Sequence, residues 1–180
     1  MLGMFRRKPH ARAGYALYTA AVQAAREPAF YSELGVPDTL DGRFDLIGVH
    51  VFLLIDRLRG AEAPGPELAQ AVFDAMFTDM DFNLREMGVS DMRIGKRVKE
   101  MWEAFHGRAM AYQEAVAVPE GGALVDALAR NVWRGVTAPA GAAEAVAAIV
   151  RRDRVALAAV PLSEFISGTL LFPQADLVSA

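Results

Sequence analysis

The 180-residue sequence contains no cysteine, and this absence removes several kinds of site at once. Without a thiol, the chain has no disulfide, no thiol nucleophile and no cysteine-ligated zinc. The absence is compatible with a reducing compartment, where disulfides are rare.

Long hydrophobic runs are also missing. The most apolar internal stretch, residues 46–54, includes His50 and is soon followed by charged residues. It is far shorter than the roughly 20 apolar residues that cross a bilayer. The chain also begins without an apolar region after its first basic residues, so no signal peptide is indicated. We expect a cytoplasmic protein, either soluble or bound peripherally to the inner membrane.

The chain has no large excess of charge of one sign, since 19 Lys and Arg stand against 22 Asp and Glu. The net charge of -3 therefore gives no indication of DNA binding. Residues 1–12 are an exception because they hold four basic residues and no acidic one, and we interpret them as a flexible tail. These residues, together with a basic turn that contains Lys96 and Arg97, could contact a membrane surface or the ribosome. The alternative is that they are simply solvated and contact nothing. The candidate contact residues are Arg6, Arg7, Lys8, Arg12, Lys96 and Arg97.

Helix-forming residues with helical periodicity dominate the rest of the chain, and period-two alternation is scarce. Apolar stripes predict helices over residues 13–26, 43–59, 67–87, 91–116, 124–133 and 142–160. We expect Asp41 to cap the second of these helices, whose many apolar residues place it in the centre. The prediction is an all-α, single-domain bundle of about six helices with an irregular connector over residues 28–42. The domain is expected to cover residues 13–172, with a short tail over 173–180.

Polar side chains cluster on the third predicted helix, where Asp79, Asp81, Arg85 and Glu86 lie on neighbouring lines. Carboxylates in such a cluster could bind a divalent cation or perform acid–base chemistry. A solvated face with an Asp81–Arg85 pair four residues apart explains the cluster more simply, and we favour it.

Two histidines raise a second possibility, a helical enzyme that binds a metal or a small molecule. His106 forms one Glu-x-x-His pair with Glu103, whereas a di-iron bundle needs two such pairs and two further glutamates. His50 lies on the most apolar helix, where a lone histidine is usually a buried, hydrogen-bonded group. This alternative would use Asp79, Asp81, Glu86, His50 and His106. Our main expectation is no catalytic residue, no metal and no cofactor.

Several segments, in consistent order along the chain, resemble the ubiquinol–cytochrome c chaperone family. They are residues 18–31, the run Gly35-Val36-Pro37-Asp38-Thr39-Leu40-Asp41-Gly42-Arg43-Phe44-Asp45, residues 77–91, residues 95–112 and Leu128-Ala129-Arg130-Asn131. The resemblance implies a non-enzymatic chaperone that binds newly made cytochrome b, or another subunit, during assembly of the bc1 complex. Mitochondrial relatives act with a small partner near the ribosomal tunnel exit. The short basic start suggests a bacterial member.

The connector is the candidate surface for such a client. Apolar contacts would come from Phe30, Tyr31, Leu34, Val36 and Pro37, and polar orientation from Asp38, Asp41 and Arg43. A chaperone for a membrane protein needs an apolar surface that shields a segment reversibly. The alternative, equally open at this point, is a loop that packs on the bundle and caps the second helix.

Overall fold

A computed structural model describes residues 10–118 and 122–175, and all regular structure in these ranges is helical. Eight helices follow one another there: α1 Ala11–Ala25, α2 Pro28–Ser32, α3 Leu40–Arg59, α4 Gly65–Glu86, α5 Asp91–Val116, α6 Ala123–Val132, α7 Ala142–Ala159 and α8 Leu162–Ser167. The all-α prediction is confirmed, and the six long helices agree with the predicted ranges. The two additional helices, α2 and α8, contain only 5 and 6 residues, too few turns to show a helical period.

Helix α3 forms the centre of the bundle. It packs against α1, α4, α5, α6 and α7, and most of its side chains are buried on all sides. Fully buried leucines such as Leu46, Leu54 and Leu58 each stabilise the fold by about 1.5–3 kcal/mol. Among the described residues, neither α3 nor any other helix has both the length and the apolar composition to cross a membrane.

The start of α3 corrects one sequence-based expectation. Thr39, not Asp41, is the cap: its backbone is extended and its Oγ1 accepts a hydrogen bond from the Gly42 N–H at 3.1 Å. A capping side chain must precede the first helical turn in order to reach the free amides. Asp41 lies inside that turn and is exposed, so its carboxylate is available on the surface.

The connector is shorter and more buried than expected. Pro28 begins the short helix α2, as a proline at the first helical position favours, so only residues 33–39 are irregular. Within the connector, Phe30, Leu34 and Val36 are buried in the core. The Trp133 Nε1–H donates to the Leu34 carbonyl at 3.2 Å, which ties the connector to the end of α6.

Helices α4 and α5 pack against each other and are joined by a tight turn, and α4 also packs on α1 and α3. Gly88 takes a left-handed conformation, with a φ of 78°, and the Val89 N–H returns to the Leu84 carbonyl at 3.1 Å. This arrangement ends a helix and turns the chain sharply. Only Ile94, Phe105, Tyr112 and Ala115 are buried along the 26 residues of α5. Both flanks of α5 therefore remain partly open.

Candidate functional site

A groove of about 480 Å³ lies between α3, α4 and α5, with further residues from α1. We call it the α3–α4–α5 groove. Leu40 and Met87 line it, and their side chains are 57% and 51% exposed. The remaining apolar lining consists of partly or fully buried side chains, among them Val22, Phe44, Ile47, Met80, Leu84 and Met101.

Charged side chains of both signs also line the groove. Arginines come from four separate parts of the chain, and acidic residues come from α3, α4 and α5. Such a border can orient an apolar ligand by its polar flanks, while the apolar lining supplies most of the binding free energy. The charged lining residues are Arg26, Arg43, Arg97, Arg108, Arg134, Asp41, Asp79, Glu86 and Glu100.

One wall is joined to α1 by a hydrogen-bonded set centred on Asp79. The Tyr18 hydroxyl donates to Asp79 Oδ2 at 2.7 Å, and the Asn83 side-chain amide donates to the same oxygen at 3.1 Å. Burial, aided by the bond to Asp79, raises the pKa of Tyr18 well above its usual range, so the phenol stays protonated. Asp79 is therefore engaged in holding α4 to α1.

Beside the groove, Asp45 carries a carboxylate whose side chain is fully buried. Arg108 of α5 is ion-paired with Asp45 Oδ1, and Arg134, which follows α6, donates to Oδ2 from Nη2 at 2.9 Å and from Nε at 3.2 Å. Burial raises the pKa of Asp45 to about 6, and the two guanidinium groups oppose that shift. Because both arginines also line the groove, Asp45 fixes the position of two groove side chains.

The structure separates the predicted client-binding residues into two sets. Asp41 and Arg43 line the groove. Arg43 Nε contacts Asp38 Oδ1 at 2.5 Å, and both side chains are more than half exposed. The other set lies outside the groove. There Phe30, Leu34 and Val36 are buried in the core, Tyr31 is half-buried with its hydroxyl bonded to the Ala25 carbonyl, and Pro37 is half-buried.

Burial corrects the role expected for the connector. A side chain that is 1% exposed, such as Phe30, cannot contact a partner without local unfolding. The apolar client contacts predicted at Phe30, Leu34 and Val36 are therefore not on the surface. Sequence patterning could not show this, because an apolar residue in a loop serves either a core or a partner equally well.

The predicted polar face of α4 is divided in a similar way. Asp79 and Glu86 line the groove, whereas Arg85 pairs with Asp81 at 2.8 Å and with Asp91 at 2.6 Å outside it. The predicted Asp81–Arg85 pair is thus confirmed.

The histidines of the alternative enzyme do not meet these carboxylates. His50 is buried, its Nδ1 lies 2.9 Å from the Leu46 carbonyl, and its ring packs between Phe30 and Phe172. His106 is exposed beside Trp102 on α5. Within residues 10–118 and 122–175, no three His, Asp or Glu side chains converge in a way that could hold a metal ion.

The predicted basic contacts are spread over the chain. Arg97 lines the groove and lies 3.4 Å from Glu100, while Lys96 lies 3.9 Å from the same carboxylate. Arg12 is exposed on α1. Arg6, Arg7 and Lys8 lie outside the described residues.

Sequence reasoning missed several groove residues. Leu40, Arg108 and Arg134 were not singled out as site residues, although all three line the groove. The sequence does contain one indication that Leu40 is exposed: it is a large apolar residue beside the acidic Asp41 in the first turn of a helix. Nothing in the sequence indicates a site role for Arg134, because only the packing of α6 brings this residue close to α3.

Residues 32–172 match the family model described as ubiquinol–cytochrome C chaperone. The crystal structure of the Cbp3 homolog from Brucella abortus is similar to this fold, with a TM-score of 0.83, 33% sequence identity and 97% of each chain covered.

Curated relatives are more distant and longer. The chain is 23% identical over 116 residues to ubiquinol-cytochrome-c reductase complex assembly factor 1 of Xenopus laevis, which covers 64% of this chain and 58% of the frog protein. It is 30% identical over 110 residues to Protein CBP3, mitochondrial, of Saccharomyces cerevisiae, covering 59% of this chain and 31% of the yeast protein. The chain thus corresponds to only part of the length of these relatives.

Proposed function

Because the chain belongs to the ubiquinol–cytochrome c chaperone family, we propose that it assists assembly of the bc1 complex by binding newly made cytochrome b in the α3–α4–α5 groove. The proposal takes the assembly role from the relatives, whose names include a reductase-complex assembly factor. The location of the client site rests on one observation, the open apolar groove bordered by charges of both signs.

The groove suits a transient, non-covalent complex. An unfinished membrane protein exposes apolar helices that must be shielded from water and later released. A cavity of about 480 Å³ is large enough for a few side chains of such a segment and too small to enclose a whole helix. The client would therefore bind by one face and leave without unfolding the chaperone.

The charged border would set the register of the client. Asp41 and Arg43 from the predicted set lie on the α3 wall, and Glu86 and Arg97 lie on α4 and α5. Charges placed around an apolar patch favour one orientation of a partner and penalise others. No bond is made or broken in this role, so we propose a protein that is not an enzyme. Contact with the ribosome stays a prediction.

A photo-crosslinking experiment tests the groove directly. A benzophenone amino acid at Leu40 should crosslink to newly made cytochrome b in the host, whereas the same residue at Val155 should not. Val155 is the matched control because it is 72% exposed and lies on α7, away from the groove.

Genetic complementation provides the functional test. Deletion of the gene should lower the level of assembled bc1 complex and leave other respiratory complexes intact. Leu40→Lys should fail to restore the complex because it places a charge at the apolar edge, while Val155→Lys should restore it fully. Equal complementation by the two variants, together with equal crosslinking, would exclude the groove as the client site.

A further inference from the structure

The turn between α4 and α5 forms an exposed surface that combines apolar and basic side chains. We call residues 87–99 the hairpin tip. Met92 is 94% exposed, the highest value among the exposed large apolar side chains, and Met87 is 51% exposed. A single exposed methionine is ordinary on a protein surface, whereas two of them at one turn of the chain, beside basic side chains, form a patch that a partner or a membrane interface can cover.

The charge of the tip is opposite in sign to that of the whole chain. Residues 87–99 hold four basic residues and one acidic residue, a formal charge of +3, whereas the chain carries -3. The acidic residue, Asp91, is already paired with Arg85 at 2.6 Å. In the part of the chain that the structure describes, Arg93 makes no ion pair.

The lysines of the tip remain available for an external anion. Lys96 and Lys99 lie 3.9 and 3.7 Å from Glu100 and Glu103, and the two lysine side chains are 83% and 74% exposed. Ion pairs this long and this exposed contribute little and are easily exchanged for a phosphate.

The tip also adjoins the α3–α4–α5 groove. Met87, Arg97 and Glu100 line both the groove and the depression on the tip, so the two surfaces are continuous. Whatever the tip contacts would therefore lie next to the opening of the groove. A client that is a membrane protein is delivered to the bilayer, so a tip that contacts the bilayer would bring the groove close to the client's destination.

We propose that the hairpin tip docks the chain on an anionic phospholipid surface. Met92 and Met87 enter the interface between headgroups and acyl chains, and Arg93, Lys96 and Lys99 contact lipid phosphates. Nucleic-acid phosphates would satisfy the basic residues but leave Met92 without an apolar environment, so the membrane explains both features. The anchor is short, and its binding is weak and reversible, as a transient assembly factor needs.

The role of the tip in bringing the groove to the membrane rests on the proposed function, whereas the contact between the tip and lipid does not. Docking through the tip presents the groove to segments of cytochrome b as they reach the membrane.

Vesicle flotation with the full chain tests the lipid contact. The protein should float with vesicles of phosphatidylcholine and phosphatidylglycerol, float far less with pure phosphatidylcholine, and be released by high salt. The triple variant Arg93→Gln/Lys96→Gln/Lys99→Gln should lower partitioning on the order of 100-fold, since each basic residue near the surface contributes about fivefold. Arg59→Gln/Arg130→Gln, on exposed residues of other helices, is the control and should bind normally.

A fluorophore can report the depth of the apolar contact. Because the chain has no cysteine, Met92→Cys and Val155→Cys each accept a single environment-sensitive label. A blue shift on addition of anionic vesicles is expected at position 92 and not at position 155. Equal shifts at both positions, or none at either, would overturn the proposal even if some variants proved unstable.

The remaining outcomes separate this proposal from the client-binding groove. Binding of the wild-type chain to purified ribosomes but not to vesicles, lost in the triple variant, would assign the tip to RNA and overturn the membrane contact. Leu40→Lys should keep vesicle binding while failing to restore the bc1 complex. Normal flotation of the wild-type chain, together with no crosslink from the benzophenone amino acid at position 40, would reject the groove and leave the lipid contact supported.

Discussion

At the scale of single residues, the two buried carboxylates and the buried imidazole of the described chain each have a partner. The buried polar residues of the described chain are Asp45, His50 and Asp153. Asp45 is held by two arginines, His50 by the Leu46 carbonyl, and Asp153 by Arg152 at 2.7 Å. A buried polar group without a partner costs about 1–3 kcal/mol, so these pairings are a condition of the fold. Because these buried polar groups already have partners, the feature that a partner protein can bind is the apolar groove.

His50 should make the stability of the protein depend on pH. Burial lowers its pKa to about 4 from the ordinary 6.5, because the charged ring would lie in the core between aromatic side chains. As pH falls from 6.5 to 4, the unfolded chain takes up a proton that the folded chain excludes, and the folded state loses stability. The loss amounts to about 3 kcal/mol across this window and is absent above it.

Urea unfolding of the wild type and of His50→Leu, measured from pH 7 to pH 4, checks this dependence. Asp45 titrates in both proteins, so the difference between the two curves isolates the imidazole. The wild type should lose stability relative to the variant as pH falls. If the two curves of unfolding free energy against pH were parallel, His50 would be protonated as readily in the folded state as in the unfolded state. The Leu46 carbonyl keeps its backbone partner in the variant, because the helical bond from residue 50 does not need the side chain.

At the scale of helices, α1 and α4 approach each other closely at Gly14. A Cβ built on Gly14 would lie 2.5 Å from the carbonyl carbon of Ala71 and 2.6 Å from its Cβ. Two helices can approach this closely only where both positions carry small side chains. The contact holds α1 against α4, and the Tyr18–Asp79 bond lies farther along the same pair of helices.

Gly14→Ala should therefore lower the free energy of unfolding by about 1–3 kcal/mol, because the added methyl group forces the two backbones apart. Gly107→Ala is the matched control, since nothing lies within 4 Å of a Cβ at that position in α5. It should raise the free energy of unfolding by about 0.5–1 kcal/mol through its higher helix propensity. Urea denaturation of both variants measures the contrast, and equal effects would contradict the tight contact.

At the scale of the whole molecule, Asp45 connects three parts that are distant in the sequence. It lies on α3 and is paired with Arg108 of α5 and with Arg134 after α6. The groove depends on these parts keeping their relative positions, because residues from all of them line it. The same ion-paired set thus supports the fold and positions charged residues of the candidate site.

Asp45→Asn should destabilise the fold by about 3 kcal/mol, because it leaves the largely buried Arg108 without its counter-ion. The value lies at the lower end of the range for broken buried pairs because Arg134 is 47% exposed and stays solvated. Asp41→Asn is the control: its carboxylate is 68% exposed and 3.9 Å from Arg134, and its loss should cost less than about 0.5 kcal/mol. Chemical denaturation distinguishes the two, and similar stabilities would mean that Asp45 is not needed as an ion.

Much of the fold was predictable because helical periodicity is a local property. The bounds of α5 agree with the prediction, and the central place of α3 follows from apolar residues on nearly all its sides. The candidate site was predictable only in part. Asp41, Arg43, Asp79, Glu86 and Arg97 were proposed and do line the groove, but Phe30, Leu34 and Val36 were proposed for the surface and are buried.

The sequence by itself determined the helices, the absence of thiol chemistry and the family resemblance, because each of these is written in neighbouring residues or in their order. The tertiary structure decided which apolar residues face a partner. Burial depends on what packs against a side chain, and the groove joins Tyr18 to Arg134 across most of the chain. Leu34 and Leu40 are leucines only six positions apart, yet Leu34 is buried, with its carbonyl bonded to the distant Trp133, and Leu40 is 57% exposed in the groove.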